Sequence, residues 1–155
     1  DVVSEAVSIV RRSFGPWMTI TTHISPEAVV YGSREELHQV LHNLLVNARD
    51  AMPTGGELRV SASIVQLDRA SSLALHLPTC GTYVELKVAD PGRGMDKATL
   101  ARIFEPFFTT KPPGKGSGLG LAVIHAIVKR HGGTVIADSE LGRGTTFKVY
   151  IPRVD

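Results

Sequence analysis

Apolar residues follow two different spacings along the chain, one typical of helices and one typical of strands. The helical spacing predicts four helices, over Val2 to Val10, Arg34 to Met52, Lys97 to Ile103 and Leu119 to His131. The longest helix begins with a plausible capping box, formed by Ser33 and Glu36. The last helix is stopped by Gly132-Gly133, since glycine favours the end of a helix.

Alternation of apolar and polar residues predicts five strands. They cover Met18 to Ile24, Leu58 to Ile64, Val84 to Val88, Val135 to Ala137 and Thr145 to Ile151. The segment from Leu67 to Gly81 shows no clear period and is predicted to be a long hairpin connection. Because helices and strands are mixed without strict βαβ alternation, we predict an α/β (α+β) two-layer sandwich. Its mixed sheet of about five strands would pack on about three helices.

The composition of the chain excludes several classes of protein. The 155 residues are expected to form one domain, 1–155, and 43% hydrophobic residues suffice to bury a core. A net charge of +2 does not indicate a polyanionic partner, so no nucleic acid is expected. The single cysteine, Cys80, excludes an internal disulfide framework and a multi-cysteine zinc site. No apolar run approaches the roughly 18 residues that span a bilayer, so direct membrane insertion is not expected.

One edge of the long helix carries a stripe of polar residues: Glu36, Asn43, Asn47 and Asp50. At about 100° per residue they flank the apolar face, and asparagine has no packing reason to recur at this spacing. A carboxamide oxygen is a hard, neutral ligand suited to magnesium, which shares the phosphates of a substrate. The stripe therefore indicates either a metal and phosphate site or an exposed polar flank.

A second motif, Asp90-Pro91-Gly92-Arg93-Gly94, closes the third predicted strand. Because Val84, Val88 and Asp90 share one parity, the core-facing row of this strand ends in a carboxylate. A buried acid needs a hydrogen-bond donor, and the exocyclic amine of adenine is a donor without charge. The two glycines allow the backbone to pass close to a flat ring. The alternative interpretation is a polar strand end followed by a turn.

Alternating glycines fill the segment from Gly114 to Gly120, directly before the last helix. Such a run lets consecutive N–H groups converge on an anion at the positive end of a helix. Lys111 and Lys115 can add charge near phosphates. The segment lacks the Walker and Rossmann spacings, and the alternative is a flexible surface loop.

Together these segments resemble the catalytic, ATP-binding domain of bacterial sensor histidine kinases, within the superfamily of gyrase, chaperone, histidine kinase and mismatch-repair ATPases. Asn43 to Ala48 matches the N box, Asp90 to Gly94 the G1 box, Ile103 to Phe108 the F box, Gly116 to Leu121 the G2 box and Gly142 to Phe147 the last glycine box. The five boxes occur in order, and the resemblance covers nearly the whole chain. The amino-acid sequences of these boxes are most similar to those of the nitrogen-regulator and hybrid sensor kinase branch. The resemblance implies the Bergerat-type ATP-binding fold.

The resemblance also implies ATP and Mg²⁺ as ligands. Asn47 would coordinate magnesium, and Asn43 would sit beside the γ-phosphate and its metal, which makes these two the candidate catalytic residues. Asp90 would accept a hydrogen bond from the adenine amine, with Thr145 helping through a bridging water.

Glycines and lysines would complete the nucleotide site. Gly92 and Gly94 would line the base. The phosphate side would be closed by Gly116, Ser117, Gly118, Leu119 and Gly120. Asp50 stands where a phosphate-contacting lysine is frequent in similar kinases, and an acid there resembles the gyrase-like arm of the superfamily. Asp50 is kept in the nucleotide site, and the lysine's role is assigned to Lys111 or Lys115.

Residues 95–117 would form a mobile ATP lid, with Phe104 and Phe107 anchoring it to the body of the domain. The distal part of this segment is rich in Gly, Pro and Lys and gains little from burial. It is therefore expected to order only when nucleotide binds.

The resemblance implies a histidine kinase catalytic domain of a two-component system, which donates the γ-phosphate of ATP to a histidine on a separate dimerisation domain. None of the six histidines of this chain has an acceptor context, and His38 and His42 are predicted to be solvated surface. The expected partners are that dimerisation domain and a downstream response-regulator receiver domain. The isolated domain is expected to be monomeric.

The setting of the domain and two alternative functions remain open. The chain starts within a helical pattern at Asp1, which suggests a piece of a longer protein. A cytoplasmic location is expected, which includes the cytoplasmic part of a membrane-bound sensor. The alternatives with the same fold are a serine-directed, anti-sigma-type kinase and a nucleotide-sensing module that transfers no phosphate.

Overall fold

The architecture is a mixed sheet with helices packed on its inner face. The computed structural model describes residues 2–109 and 120–153. Within these residues the strands are β1 (Met18–Ile24), β2 (Gly56–Leu67), β3 (Gly81–Asp90), β4 (Thr134–Glu140) and β5 (Gly144–Pro152). They lie in the order β1-β2-β3-β5-β4, with β1 parallel to β2 and the other neighbours antiparallel. The predicted mixed sheet is confirmed.

The described ranges contain five helices, and the longer ones form the second layer. The five are α1 (Val2–Ser13), α2 (Arg34–Ala51), α3 (Arg69–Ala74), α4 (Lys97–Leu100) and α5 (Gly120–Arg130). The three longest, α1, α2 and α5, share one cluster of buried side chains with the inner face of the sheet. This cluster confirms the two-layer sandwich.

Helix α2 lies at the centre of the helical layer, between α1 and α5. Its apolar face is buried, as predicted: Val40, Leu41, Leu44, Leu45 and Ala48. Its first turn is capped by Ser33, whose Oγ accepts a hydrogen bond from the Glu36 N–H at 3.2 Å. The Ser33 N–H in turn donates to Nε2 of His131, just after α5, at 3.2 Å. The polar flank of α2 is thus held in a fixed place between the sheet and α5.

The segment between β2 and β3 corrects the predicted irregular connection from Leu67 to Gly81. It contains α3, which begins after Asp68, whose carboxylate accepts a hydrogen bond from the Ser71 N–H at 2.7 Å. A helix of six residues is too short to show a helical period in the sequence. The same segment supplies part of a second, smaller cluster on the outer face of the sheet: Leu77, Tyr83 and Tyr150.

Helix α4 is shorter than predicted. It ends at Leu100 because the backbone turns tightly there, with the Arg102 N–H donating to the Thr99 carbonyl at 2.9 Å. Ile103, the predicted last residue of this helix, instead lies in the main core with 5% of its surface exposed. No helix in the described ranges is long and apolar enough to cross a membrane.

Candidate functional site

A cavity of about 550 Å³ lies between α2, the carboxyl end of β3, the segment around α4 and the start of α5. Seven residues that the sequence singled out line it: Asn43, Asn47, Asp50, Asp90, Gly94, Gly120 and Thr145. They come from parts of the chain up to a hundred positions apart, and the fold brings them to one place. This volume is typical of a small-molecule site.

The polar flank of α2 forms one wall of the cavity. Asn43 and Asn47 are half-buried there, and Nδ2 of Asn43 lies 3.5 Å from the carbonyl oxygen of Gly120, at the start of α5. Asp50 lies one turn further along, with the Arg49 guanidinium 3.3 Å from its Oδ1. Glu36, from the same predicted stripe, pairs with Arg130 and does not line the cavity.

The donor set on α2 fits a divalent cation that shares the phosphates of a substrate. In the described part of the chain no group of three His, Cys, Asp or Glu side chains could hold a metal by itself. Mg²⁺ commonly takes only one or two protein oxygens and completes its shell with water and phosphate. The amide oxygen of Asn47, with that of Asn43 or the carboxylate of Asp50 nearby, can supply those one or two protein oxygens.

Asp90 forms the floor of the cavity at the end of β3. Only 8% of its surface is exposed. Burial raises the pKa of its carboxyl, while the backbone N–H groups of Gly92 and Thr145 act in the opposite direction. The Gly92 N–H donates to Oδ1 at 2.9 Å. A buried carboxylate with lone pairs left over favours a ligand that offers an N–H donor.

Gly92 and Gly94, both predicted to line a base, have different surroundings. Gly94 lines the cavity, whereas Gly92 lies against the backbone of α2 and orients Asp90. A Cβ atom on Gly92 would lie 2.3 Å from the carbonyl oxygen of Ala51. Gly92 is therefore required by the packing of the turn on α2.

The turn after β3 is fastened to the hairpin between β4 and β5. The Gly142 N–H donates to the carbonyl oxygen of Arg93 at 2.9 Å, and the Met95 N–H donates to Oγ of Ser139 at 2.8 Å. Ser139 also lies 2.8 Å from Oγ1 of Thr145. Sequence reasoning missed Ser139, because its role depends on a pairing of strands that no local pattern shows.

Two further cavity residues were missed by sequence reasoning. His42 was predicted to be solvated surface away from the site, but although exposed it lines the cavity. It lies four residues before Val46 and eight before Asp50, so the three share one row along α2 that faces the cavity. Arg93 also lines the cavity, and its place between the two glycines of the turn was the available signal.

The aromatic residues after α4 correct one predicted anchor. Phe104 packs on the core as expected, with its ring centroid 5.6 Å from that of His125 and 6.5 Å from that of Phe147. Phe107 does not anchor this segment, because it is 73% exposed and its φ of 67° turns the side chain outward. Phe108 lines the cavity instead, under the guanidinium of Arg102 at 4.5 Å.

Six predicted site residues lie outside the described residues: Lys111, Lys115, Gly116, Ser117, Gly118 and Leu119. The assignment of phosphate contacts to them stays a prediction. The same holds for the distal part of the predicted lid.

Substitutions of two cavity glycines are expected to differ in their effect on the stability of the fold. Gly94 has a φ of 70°, and a Cβ atom there would lie 2.1 Å from the Glu140 carbonyl oxygen. A Cβ atom on Gly120 would have no atom within 4 Å in the part of the chain that the structure describes. We expect Gly94→Ala to lose about 3 kcal/mol or more of unfolding free energy. Gly120→Ala should stay within about 1 kcal/mol of the parent. Urea unfolding of both variants checks this, and equal destabilisation would contradict it.

The sequence is similar to known proteins over most of its length. The model of the histidine kinase-, DNA gyrase B-, and HSP90-like ATPases matches residues 32–155. The chain is 48% identical over 120 residues to the sensor kinase CckA of Brucella abortus. This alignment covers 77% of this chain and 13% of CckA. It is 40% identical over 118 residues to the sensor histidine kinase ZraS of Escherichia coli, which covers 76% of this chain and 22% of ZraS. The chain therefore spans less than a quarter of the length of either relative.

Two solved structures share the architecture. The mycobacterial sensor histidine kinase MprB matches with a TM-score of 0.76 and 28% identity, over 98% of this chain and 92% of that chain. Full-length ShkA in complex with AMPPNP matches with a TM-score of 0.76 and 26% identity, over 99% of this chain and 29% of that chain.

Proposed function

The chain belongs to the family of histidine kinase-, DNA gyrase B- and HSP90-like ATPases, and on this premise we propose that it binds Mg-ATP and donates the γ-phosphate to a histidine of a separate phosphoacceptor domain. The observation that carries the proposal is a cavity lined both by the amides of α2 and by the buried carboxylate of Asp90. The similarity to the sensor kinases CckA and ZraS supports a histidine as the acceptor.

Base recognition in this proposal begins at Asp90. Its carboxylate is held in place by the Gly92 N–H, so that its remaining lone pairs can accept a hydrogen bond from the adenine amine. Thr145, which lies opposite Asp90 in the pairing of β3 with β5, helps through a bridging water. Both residues are nearly fully buried, at 8% and 6% exposure, and the low polarity of the buried surroundings strengthens each hydrogen bond.

Phosphate positioning in this proposal falls to the wall on α2 and the start of α5. Asn47, with Asn43 beside it, would hold Mg²⁺, and the chemistry that the ion supplies when bound is neutralisation of phosphate charge. The start of α5 at Gly120 offers the positive end of a helix to the phosphates. Orientation and charge neutralisation are most of what phosphoryl transfer requires, because little covalent chemistry is left to the protein.

Residues 95–117 are proposed to close over the nucleotide. The first part of this segment is tied down, by the bond from Met95 to Ser139 and by the burial of Ile103. Because Phe104 and Phe108 both pack against the core, we place the hinge of the closing segment after Phe108.

A substitution at the start of α5 is expected to change the affinity for ATP without changing the stability of the fold. Among the described residues, no atom lies within 4 Å of a Cβ atom on Gly120. Gly120→Ala is therefore expected to fold normally but to weaken ATP binding about tenfold, by keeping the phosphates away from the backbone. Calorimetric titration of the variant with Mg-ATP measures this. Unchanged ATP affinity would remove Gly120 from the phosphate site.

The transfer step is tested by mixing the chain with a separately produced, histidine-bearing dimerisation domain and labelled Mg-ATP. Acid-labile, alkali-stable phosphate on the added domain is the expected result, and Asn47→Ala serves as the inactive control. Acid-stable phosphate would instead indicate a serine-directed kinase. ATP binding without any transfer would indicate a nucleotide-sensing module. The chain alone should incorporate no phosphate, since its histidines lack an acceptor context.

The wider setting is also a proposal. We place the chain in a two-component pathway, with a response-regulator receiver domain downstream of the phosphorylated histidine, because CckA and ZraS are sensor kinases. Transfer of label from the phosphorylated dimerisation domain to a receiver domain is the measurement that follows from it.

A further inference from the structure

Arg93 places a positive charge at the rim of the cavity. It is exposed, and among the described residues it is the one arginine or lysine that lines the cavity. Three carboxylates line the same cavity, those of Asp50, Asp90 and Asp96. None of the ion pairs in the described part of the chain nevertheless includes Arg93. Its guanidinium, which stays charged at any pH the protein meets, is therefore available to a ligand.

The backbone of Arg93 is held on both sides. Its N–H donates to the Ala51 carbonyl oxygen at the end of α2 at 3.1 Å, and its carbonyl oxygen accepts from the Gly142 N–H at 2.9 Å. Gly92, just before it, packs so closely on α2 that a Cβ atom would lie 2.3 Å from the Ala51 carbonyl oxygen. The Arg93 side chain therefore starts from a fixed point, and only its rotamers have to be ordered by a ligand.

Arg93 lies at the base end of the cavity. It follows Asp90, the floor of the proposed adenine pocket, by three residues and is bonded to Ala51. Asn43, beside Gly120 at the proposed phosphate end, lies eight residues before Ala51 on α2, which is about 12 Å along the helix. That separation exceeds the length of an arginine side chain. A terminal phosphate held at Gly120 is therefore beyond the reach of Arg93.

The chemistry of the guanidinium limits how it can meet a base. It has donors and no acceptor, so it cannot pair with the amine that Asp90 is proposed to bind. Its planar, weakly hydrated cation can stack on the face of an aromatic ring, where the π electrons attract it. A base anchored by one edge at the floor turns its faces to the side walls and its opposite edge to the rim. The rim is where Arg93 lies.

We propose that Arg93 is a further binding residue, which stacks its guanidinium on the face of the bound purine ring and closes the cavity over the base. This inference rests on the proposed binding of ATP. Because the contact is made to the ring, it contributes equally to the binding of ATP and of adenosine. Because it depends on the plane of the guanidinium, lysine cannot replace it, whereas a flat neutral side chain can.

The expected effect of Arg93→Ala is a loss of affinity for Mg-ATP of about threefold to tenfold, and a loss by the same factor for adenosine. The fold should be unchanged, because Arg93 is exposed and both of its backbone hydrogen bonds remain in the variant. A contact with phosphate would instead weaken Mg-ATP and leave adenosine unaffected. Adenosine, which carries no phosphate, is therefore the ligand that separates the two contacts.

The experiment is a calorimetric titration of the chain with Mg-ATP and a displacement titration with adenosine. Five proteins are compared: the wild type, Arg93→Ala, Arg93→Lys, Arg93→Tyr and Arg143→Ala. Arg143 is an exposed arginine of the turn between β4 and β5 that does not line the cavity, so Arg143→Ala removes the same charge without the proposed contact. The melting temperature of each variant without nucleotide shows that it is folded.

The two conservative variants separate charge from stacking. Lysine keeps the charge and the donors of Arg93 without the plane, and tyrosine keeps a plane that can stack without the charge. We expect both affinities to fall in Arg93→Ala, to stay low in Arg93→Lys and to return largely in Arg93→Tyr. Arg143→Ala should bind both ligands as the wild type does.

The outcomes separate this inference from the proposed function. A wild-type chain that binds neither ligand would overturn the proposed function and this inference with it. A wild type that binds Mg-ATP, with unchanged affinity in Arg93→Ala, would refute the role of Arg93 and leave the proposed function standing. A loss confined to Mg-ATP, or one that Arg93→Lys restores and Arg93→Tyr does not, would show that Arg93 supplies charge and would also refute the stacking contact.

Discussion

Asn47→Ala is expected to abolish magnesium-dependent phosphoryl transfer while leaving the fold intact. Asn47 is half-buried on the polar flank of α2 and lines the cavity, away from the buried face of the helix. Alanine is the better helix former, so the unfolding free energy should not fall. Loss of the amide oxygen removes the proposed metal ligand, and we expect transfer to fall at least about a hundredfold, equivalent to about 2.7 kcal/mol in the barrier. Initial rates with labelled ATP and a phosphoacceptor domain measure this.

A matched control for this prediction is available on the same helix. Gln39 also carries a carboxamide, but it is exposed and does not line the cavity, so Gln39→Ala should keep full transfer. Asn47→Asp keeps an oxygen ligand and adds charge, and should therefore change the preference between Mg²⁺ and Mn²⁺ rather than abolish binding. Wild-type magnesium-dependent transfer by Asn47→Ala would refute the assignment of the metal site.

The long elements of the fold could be predicted because their burial is periodic. The apolar face of α2 and the alternation in β3 each repeat over several turns or pleats, so the sequence shows which side faces the core. Helix α3 could not be predicted in this way. It is only six residues long and is stabilised by a cap at Asp68 and by the small cluster on the outer face of the sheet.

The site residues that could be predicted lie at regularly spaced positions of a helix or a strand. Asn43 and Asn47 share an edge of α2 because they are four residues apart, and Asp90 ends a buried row of β3. Ser139 was not predictable, because its partners come from the pairing of β4 with β5 and from the turn after β3. Phe107 and Phe108 are adjacent residues of the same type, so the sequence does not show that Phe108 lines the cavity while Phe107, with a φ of 67°, is exposed.

Asp90→Asn is expected to lower the affinity for ATP and to maintain or raise the stability of the protein without nucleotide. The amide can turn an NH₂ group towards the adenine amine, and loss of a hydrogen bond to a charged acceptor costs about 1.5–3 kcal/mol, so ATP affinity should fall about tenfold to a hundredfold. Without nucleotide, the same change removes a charge that burial disfavours, because burial raises the pKa of Asp90 in the folded protein. The melting temperature at neutral pH should therefore be equal to or higher than that of the parent.

The stability of the parent relative to Asp90→Asn is expected to depend on pH, because the pKa of Asp90 is raised in the folded protein. Below the ordinary aspartate pKa of 3.8 the carboxyl is protonated in both the folded and the unfolded chain, so it imposes no penalty. As the pH rises through the higher pKa of the folded state, the fold must hold a buried charge and loses stability relative to Asp90→Asn. The stability difference between variant and parent should thus vanish in acid, grow as the pH rises from 3.8 to the pKa of the folded state, and stay at its full size above it. Asp138→Asn, on an exposed side chain paired with Lys148, is the control that should keep full ATP affinity. An Asp90→Asn protein that binds ATP as tightly as the parent would remove Asp90 from the base pocket, and one that melts well below the parent at neutral pH would show that the carboxylate stabilises the fold.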